Sequence, residues 1–169
     1  PKEEKLTVAA RKRFAFEEIF YMQLKQYKER VLAKHSHAYA VTTSDEDVTN
    51  FMDSFSFVPT KAQTDAVASI MRDMREKYPM GRLLEGDVGS GKTLVALMNI
   101  LICMDNGFQA CLMAPTEILA NQHFETISRL LKPLNINVGL LTGSKKVKER
   151  KVIHEQLQSG EMQILIGTH

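Results

Sequence analysis

A glycine-rich segment in the middle of the chain carries the residues best suited to hold a phosphate. The sequence GDVGSGKT, at 86–93, fits the pattern G-x-x-x-x-G-K-[ST] in full. In such a segment consecutive backbone N–H groups curl around a phosphate at the positive end of a helix, and a side chain at Gly91 would crowd that approach. Lys92 would reach the β- and γ-phosphates, and the Thr93 hydroxyl would bind Mg²⁺. The segment predicts a P-loop that binds ATP with Mg²⁺.

The residues predicted to bind the nucleotide here are Gly86, Asp87, Val88, Gly89, Ser90, Gly91, Lys92 and Thr93. A chain of this length shows the pattern by accident less than roughly once in a hundred times, given ordinary residue usage. The segment also follows a short apolar stretch and opens a helical pattern, as the mechanism requires. The competing interpretation is a glycine-rich turn followed by an ordinary exposed lysine.

Hydrolysis of ATP requires a further group, an acid that holds the Mg²⁺ shell and orients water, usually at the end of another apolar strand. Asp105 is the acid that follows an apolar run, but it closes the helix that the P-loop starts. The apolar stretches ending in LLTGS and ILIGTH lead to no acid. The strand that carries this carboxylate is therefore expected beyond His169.

The elements that must position these residues alternate along the chain from Thr60 onward. Strands that are apolar on both faces and alternate with helices favour an α/β fold, a parallel sheet covered by helices on both faces. Helices are predicted over 60–78, 92–105, 117–132 and 145–158, and strands over 81–86, 109–114, 137–143 and 162–167.

The amino-terminal part has a different pattern. Residues 7–34 lack Gly and Pro and repeat apolar residues at helical spacing, which predicts one long amphipathic helix. A polar connection follows, with a short helix near 45–53. We therefore expect a helical linker segment at 1–53 and a nucleotide-binding domain at 54–169. The chain opens on Pro1 and closes on a strand pattern, so a piece of a longer protein is expected.

Composition excludes some classes of protein. The net charge is +2, from 22 basic and 20 acidic residues, so bulk charge makes no case for nucleic acid. The longest apolar run, at 94–104, is interrupted by Asn99 and falls short of the roughly 20 residues of a membrane span. Cys103 and Cys111 lie in apolar segments without metal-ligand spacing, which predicts buried, reduced thiols and a cytoplasmic location.

Several segments together resemble one family. RLLEGDVGSGKTLVA, ACLMAPTEILANQH, LLTGS and ILIGTH resemble the first motor lobe of the RecG-type ATP-dependent DNA helicases of superfamily 2, which remodel branched DNA. The resemblance covers residues 57–169, and ARKRFAFEEIFYMQL before them is similar to the segment joining that family's DNA-binding wedge domain to its motor. GDVGSGKT alone would also suit transcription-repair coupling translocases. MAPTEILANQH together with ARKRFAFEE favours the RecG type.

The resemblance implies a truncated RecA-like lobe of the P-loop NTPase class, with the wedge domain, the second motor lobe and branched DNA as partners. It implies catalytic roles for Lys92 and Thr93. Gln63, in FVPTKAQ, matches the glutamine that reads the adenine edge, although this chain has Pro59 where the family usually has leucine. The residues that the resemblance implies for nucleic-acid binding are Thr116, Glu117, Thr142, Gly143, Thr168 and His169.

Physical chemistry supports the DNA-facing positions. Thr116 and the Thr142–Gly143 pair each introduce a helix, whose first free N–H groups can bind an anion. Both would lie at the carboxyl ends of parallel strands, where open α/β sheets place ligands. The alternative is that Thr116 only caps its helix. The basic run at 145–151, KKVKERK, could grip phosphates or form a solvated helix face balanced by Glu149 and Glu155.

Three functions remain open from the sequence. The leading one is the ATP-binding part of a DNA helicase that couples hydrolysis to movement on branched DNA and hydrolyses ATP poorly as an isolated piece. A second is a nucleotide sensor without turnover, for which no acidic pair would follow His169. A third, a small-molecule kinase, needs an arginine-rich lid that the segments after the P-loop do not show.

Overall fold

The computed structural model describes residues 4–53 and 58–168, and the chain divides into two units. The first unit comprises Pro1–Ala40 and Glu76–Gly81, and the second comprises Val41–Arg75 and Arg82–His169. The division into 1–53 and 54–169 expected from the sequence stays a prediction. Among the described helices, none is long and apolar enough to cross a membrane.

The first unit is dominated by α1, Glu4–Ala33, which confirms the predicted long helix. None of the described residues of α1 is buried, and its phenylalanines are exposed. Phe16 and Phe20 stack one turn apart, with ring centroids 6.0 Å from each other. Arg13 and Glu17 form an i,i+4 ion pair at 2.6 Å. Contacts between neighbouring turns therefore support the helix, although one exposed ion pair adds only a few tenths of a kcal/mol.

The second unit contains a parallel sheet. Its strands are β1 (Ala110–Met113), β2 (Val138–Leu141) and β3 (Ile164–Gly167), in the order β1-β3-β2. The helices of this unit are α2 (Asp45–Asp53), α3 (Lys61–Met74), α4 (Lys92–Asp105), α5 (Glu117–Leu131) and α6 (Val147–Gln158).

The connections place helices on both faces of this sheet. The chain crosses from β1 to the far edge through α5, and returns from β2 to the centre through α6. Crossovers between parallel strands are right-handed almost without exception. The two crossovers run in opposite directions across the sheet, so α5 and α6 lie on opposite faces. The predicted α/β fold with a covered parallel sheet is confirmed.

The core of this unit forms where α4 meets the sheet. Leu97 and Ile102 of α4 and Ile164 and Ile166 of β3 are completely buried. A helix that is apolar on most of its surface is stable only when it is enclosed, which explains the run LVALMNILICM. This core fixes the direction of α4 and, with it, the P-loop at its amino end.

Strand β1 is an edge strand, and its side chains alternate between half-buried and exposed. Cys111 is exposed, so the prediction that both thiols are buried is wrong for it. The reason is that Cys111 and Met113 share one face of β1, and the exposure of both shows that this face is not covered there. Cys103 of α4 is half-buried, and desolvation raises the pKa of its thiol.

The strand predicted at 81–86 is wrong, because the described residues of this segment form no strand. A strand needs a partner for its ladder of hydrogen bonds, and the three described strands pair only with one another. The segment is held instead by the side chain of Arg82. Its Nε donates to Asp73 Oδ2 at 2.7 Å, and its Nη1 donates to Ser69 Oγ at 2.8 Å. The P-loop is therefore preceded by an extended segment tied to α3.

The carboxyl end of α4 is fastened to the segment that leads into α2. Asn106 Oδ1 accepts from Thr42 N at 2.7 Å, and Asn106 Nδ2 donates to Thr43 Oγ1 at 2.6 Å and to Ile102 O at 2.8 Å. Thr43 is 3% exposed, and its hydroxyl donates to Asp105 Oδ2 at 2.7 Å. Asp105 and Asn106 are thus structural groups, placed at the end of α4 opposite to the P-loop.

Replacing Asn106 by alanine is expected to lower the free energy of unfolding by about 2 kcal/mol, because the Thr42 amide loses its acceptor and the buried Thr43 hydroxyl keeps Asp105 but loses the donor Asn106 Nδ2. Urea unfolding of this chain measures the loss. Gln122→Ala, at an exposed position of α5, serves as the control. A loss no larger than that of the control would show that this network contributes little.

Candidate functional site

The segment 86–93 forms a turn with two glycines in the left-handed region. Gly89 has φ 82° and Gly91 has φ 83°, a conformation that costs other residues about 1 kcal/mol or more. Ser90 N donates to Asp87 O at 3.2 Å and closes the turn. The two glycines let the backbone reverse direction directly before α4, as the sequence pattern predicts.

The amino end of α4 differs from the beginnings of α3 and α5. Thr60 and Thr116 cap α3 and α5 with their side chains, whereas Gly91 precedes α4 without a side-chain hydrogen bond. The first N–H groups of a helix have no partner within it, and the helix dipole makes this end positive. The amides that begin α4 can therefore be satisfied by a ligand, and an anion is the ligand that they favour.

Lys92 adds a positive charge at the same place. Its Nζ donates to Gly86 O and to Asp87 O, each at 2.7 Å. The ammonium thus lies inside the curve of the turn, and it is held there by neutral carbonyl groups. A phosphate would bind this ammonium more strongly than the carbonyls do, because it carries a full negative charge and a carbonyl oxygen only a partial one.

Gln63 contacts the turn from α3. Its Oε1 accepts from Thr60 N at 2.8 Å, which completes a capping box, and its Nε2 donates to Ser90 O at 2.9 Å. Pro59 does not disturb this start, since Thr60 has the extended backbone of a helix cap, with φ −69° and ψ 157°. A Cβ at position 91 would collide with Gln63 Nε2. Gly91 is thus required by its φ, whereas the Gln63 amide, at the end of a flexible side chain, could move aside.

An open cleft of about 300 Å³ lies between α3 and the turn, within the second unit. Its lining combines polar groups of the turn with apolar side chains such as Leu84 and Val95. Such a mixed lining suits a ligand with both an anionic and an apolar part. The residues that line it are Thr60, Ala62, Gln63, Ala66, Leu84, Glu85, Gly86, Asp87, Ser90, Lys92 and Val95.

A second group of predicted residues lies along the carboxyl edge of the sheet. The register pairs Met113 with Gly167 and Gly167 with Leu141, so the three strands end side by side. The segments that follow these strands carry Thr116 and Glu117, Thr142 and Gly143, and Thr168. His169 lies outside the described residues. The structure thus brings the described members of this set to one edge.

The threonines of this edge differ in exposure. Thr116 is exposed, and its hydroxyl accepts from Leu119 N at 3.3 Å, so it caps α5 as the alternative interpretation expected. Thr142 is 3% exposed, and its hydroxyl contacts Ser144 Oγ at 2.9 Å. Thr168 is half-buried, and its N–H donates to Leu141 O at 3.3 Å. The Thr142 side chain therefore supports its turn from within, and the exposed part of the turn is formed by Gly143 and Ser144.

Two contacts at this edge could not be predicted from the sequence. Glu117 Oε1 accepts from Ser144 N at 3.0 Å, across 27 residues of chain. Arg150, taken as part of a basic run, points into the turn and donates to Thr142 O at 3.0 Å. Its neighbour Lys145 lies 3.9 Å from Glu149, an i,i+4 pairing that the spacing could have suggested. The run at 145–151 is therefore not a uniform basic surface.

Comparison with known proteins bears on the family. A family model for DEAD/DEAH box helicases matches residues 60–169. A relative from Synechocystis, named ATP-dependent DNA helicase RecG, is 43% identical over 98% of this chain and 20% of its own length. Another of the same name, from Staphylococcus aureus, is 42% identical over 100% of this chain and 25% of its own length. The chain thus spans between a fifth and a quarter of these relatives.

Solved structures agree with this likeness. A structure of RecG bound to a three-way DNA junction superposes with a TM-score of 0.84 at 39% identity, covering 95% of this chain and 22% of that one. A hypothetical ATP-dependent RNA helicase from Sulfolobus tokodaii, 16% identical with a TM-score of 0.50, covers 74% of this chain and 34% of that one and shows the fold alone. The resemblance to RecG and the RecA-like α/β fold are confirmed. Because the family model matches well over half of its residues, the chain belongs to the DEAD/DEAH box helicase family.

Proposed function

We propose that the complete protein carrying this chain is an ATP-dependent DNA helicase of the RecG type that remodels branched DNA in repair and recombination. This chain is the amino-terminal part of its first motor lobe. The name shared by the relatives supports the activity. The single observation that carries the proposal is the uncapped, glycine-led start of α4, with the Lys92 ammonium 2.7 Å from two carbonyls of the turn.

ATP binds in this proposal with its phosphates inside the turn 86–93. The backbone amides at the start of α4 and the Lys92 ammonium bind the β- and γ-phosphates. The Thr93 hydroxyl binds Mg²⁺, which neutralises phosphate charge. Gln63 lines the same cleft, and in this proposal its side chain reads the adenine edge.

The contacts that Lys92 and Gln63 make with the turn both bear on nucleotide binding. Lys92 Nζ must leave the Gly86 and Asp87 carbonyls, and it exchanges two neutral acceptors for charged phosphate oxygens. Gln63 Nε2 donates to Ser90 O, and this contact couples the adenine-reading residue to the shape of the turn. Hydrolysis also needs an acid, an arginine at the γ-phosphate and a second lobe, which we place elsewhere in the complete protein. Closure of the two lobes then moves the protein along the DNA.

DNA binds along the carboxyl edge of the sheet in this proposal. Thr116, the Thr142–Gly143 turn, Thr168 and His169 contribute, mainly through main-chain groups at the beginnings of α5 and α6. Branched DNA is the substrate class because the solved RecG relative is described as bound to a three-way DNA junction. The cytoplasmic location stays a prediction.

The test compares ATP turnover by the complete protein on two DNA substrates of equal length and composition. One is a three-way junction and the other is a linear duplex. We expect the junction to raise the turnover rate at least about tenfold more than the duplex does, since remodelling couples hydrolysis to branch binding. ATP binding without DNA-stimulated turnover would favour the sensor, and equal stimulation by both substrates would favour a translocase of the transcription-repair coupling type.

A further inference from the structure

The turn at 142–145 joins β2 to α6 at the edge proposed to face DNA. Lys145 N donates to Thr142 O at 3.2 Å and closes the turn. The Thr142 and Ser144 hydroxyls contact each other at 2.9 Å. Gly143 and Ser144 are exposed, whereas the Thr142 side chain is buried. The accessible part of the turn is therefore mostly its backbone, and its function depends on the shape of that backbone.

One side of the turn is held by Glu117, the first residue of α5. Its Oε1 accepts from Ser144 N at 3.0 Å. The fit is close, because a Cβ added to Gly143 would lie 2.9 Å from the same oxygen. A carboxylate that accepts a backbone N–H forms a charge-assisted hydrogen bond, stronger than a neutral one. Glu117 thus fixes the distance between the start of α5 and the turn.

The other side is held by Arg150, on the first turns of α6. Its Nη2 donates to Thr142 O at 3.0 Å and to Gly143 O at 3.3 Å, and its Nε donates to Lys145 O at 3.1 Å. The guanidinium is half-buried, and its donors are directed at carbonyls of the turn. Two of the three guanidinium nitrogens, Nε and Nη2, are thus engaged by the turn, which orients the side chain toward the chain's own backbone.

We infer that Glu117 and Arg150 are positioning residues, which hold the turn at 142–145, one through an N–H and the other through carbonyls, in the shape that presents the exposed Gly143 backbone to a DNA phosphate. The inference rests on the proposed function, because it assigns the turn to the DNA-binding edge. It differs from the role that the resemblance implied for Glu117, which was direct contact. A carboxylate pointed at a phosphate would be repelled, whereas the Glu117 oxygen that accepts from Ser144 N is directed at the chain's own backbone.

The experiment measures the affinity of the complete protein for a three-way junction over a range of salt concentrations. Glu117→Ala and Arg150→Ala are each expected to weaken binding about tenfold. The slope of log K against log salt should stay unchanged, whereas loss of an arginine that grips a phosphate would reduce it by about one. Glu117→Gln keeps an acceptor oxygen and should bind within about threefold of the unsubstituted protein. Glu125→Ala, the same charge change at an exposed position of α5, is the control.

A double substitution separates positioning from contact. Gly143→Ala pushes the Glu117 carboxylate away and should weaken junction binding, but it should have little effect when residue 117 is already alanine. Thermal unfolding checks that each variant is folded. If Glu117→Ala is not folded, Gly143→Ala takes its place as the test. Equal binding by the Glu117→Ala and Glu125→Ala variants, or a reduced salt slope for Arg150→Ala, would overturn the inference. If the unsubstituted protein binds no junction, the proposed function itself is wrong.

Discussion

Replacing Lys92 by alanine is expected to weaken Mg·ATP binding by this chain at least about 30-fold and to lower ATP turnover by the complete protein at least about 100-fold. The ammonium lies within the turn at 86–93, 2.7 Å from Gly86 O and from Asp87 O, where a bound phosphate would meet it. Its loss removes the mobile positive charge of the site while the amides at the start of α4 remain. Calorimetric titration of Mg·ATP measures the affinity, and a phosphate-release assay measures turnover.

The control for Lys92 is Lys148→Ala, which removes the same charge from an exposed position on α6. Thermal unfolding of both variants checks that each is folded before nucleotide is added. If the two variants bind Mg·ATP equally well, the turn does not hold the triphosphate, and the competing interpretation of an ordinary exposed lysine is correct. If the folded chain binds no nucleotide at all, the site needs residues outside this chain, and only turnover by the complete protein tests Lys92.

Replacing Gly167 by alanine is expected to destabilise the second unit by about 3 kcal/mol, at the upper end of overpacking costs. Gly167 ends the central strand β3, paired with Met113 on one side and Leu141 on the other. A Cβ there would collide with Leu141 O, a backbone atom that cannot move without separating the strands. Since Thr168 follows directly, the displacement would also disturb the proposed DNA-binding edge. Urea unfolding of this chain measures the loss.

Gly139→Ala is a matched control in the same sheet. A Cβ at Gly139 of β2 would meet the Met162 sulfur, which lies at the end of a flexible side chain. The expected loss is therefore smaller, about 1 kcal/mol. Equal losses for the two variants would show that the strands of this sheet can separate as easily as a methionine side chain can turn.

The sequence by itself determined the parts of this protein that depend on local pattern. Helix α4 begins and ends where the sequence predicted, because Gly91 precedes it and an apolar run interrupted at Asn99 forms most of it. The left-handed φ angles of Gly89 and Gly91 follow from the glycine spacing of the P-loop. Strands β1, β2 and β3 are shorter than predicted but lie where their apolar runs are. Short-range sterics and hydrophobic periodicity decide all of these features.

Tertiary structure decided which partner each group meets. Residues 81–86 look like a strand, but a strand forms only beside another strand, and Arg82 ties this segment to α3 instead. Cys111 is exposed because its face of β1 is not covered, and periodicity does not reveal which face of a strand is covered. In the sequence Arg150 is one residue of a basic run, but in the structure its guanidinium donates to the Thr142 carbonyl. The bond from Glu117 to Ser144 depends on two parallel strands ending side by side, so no local pattern of the chain could reveal it.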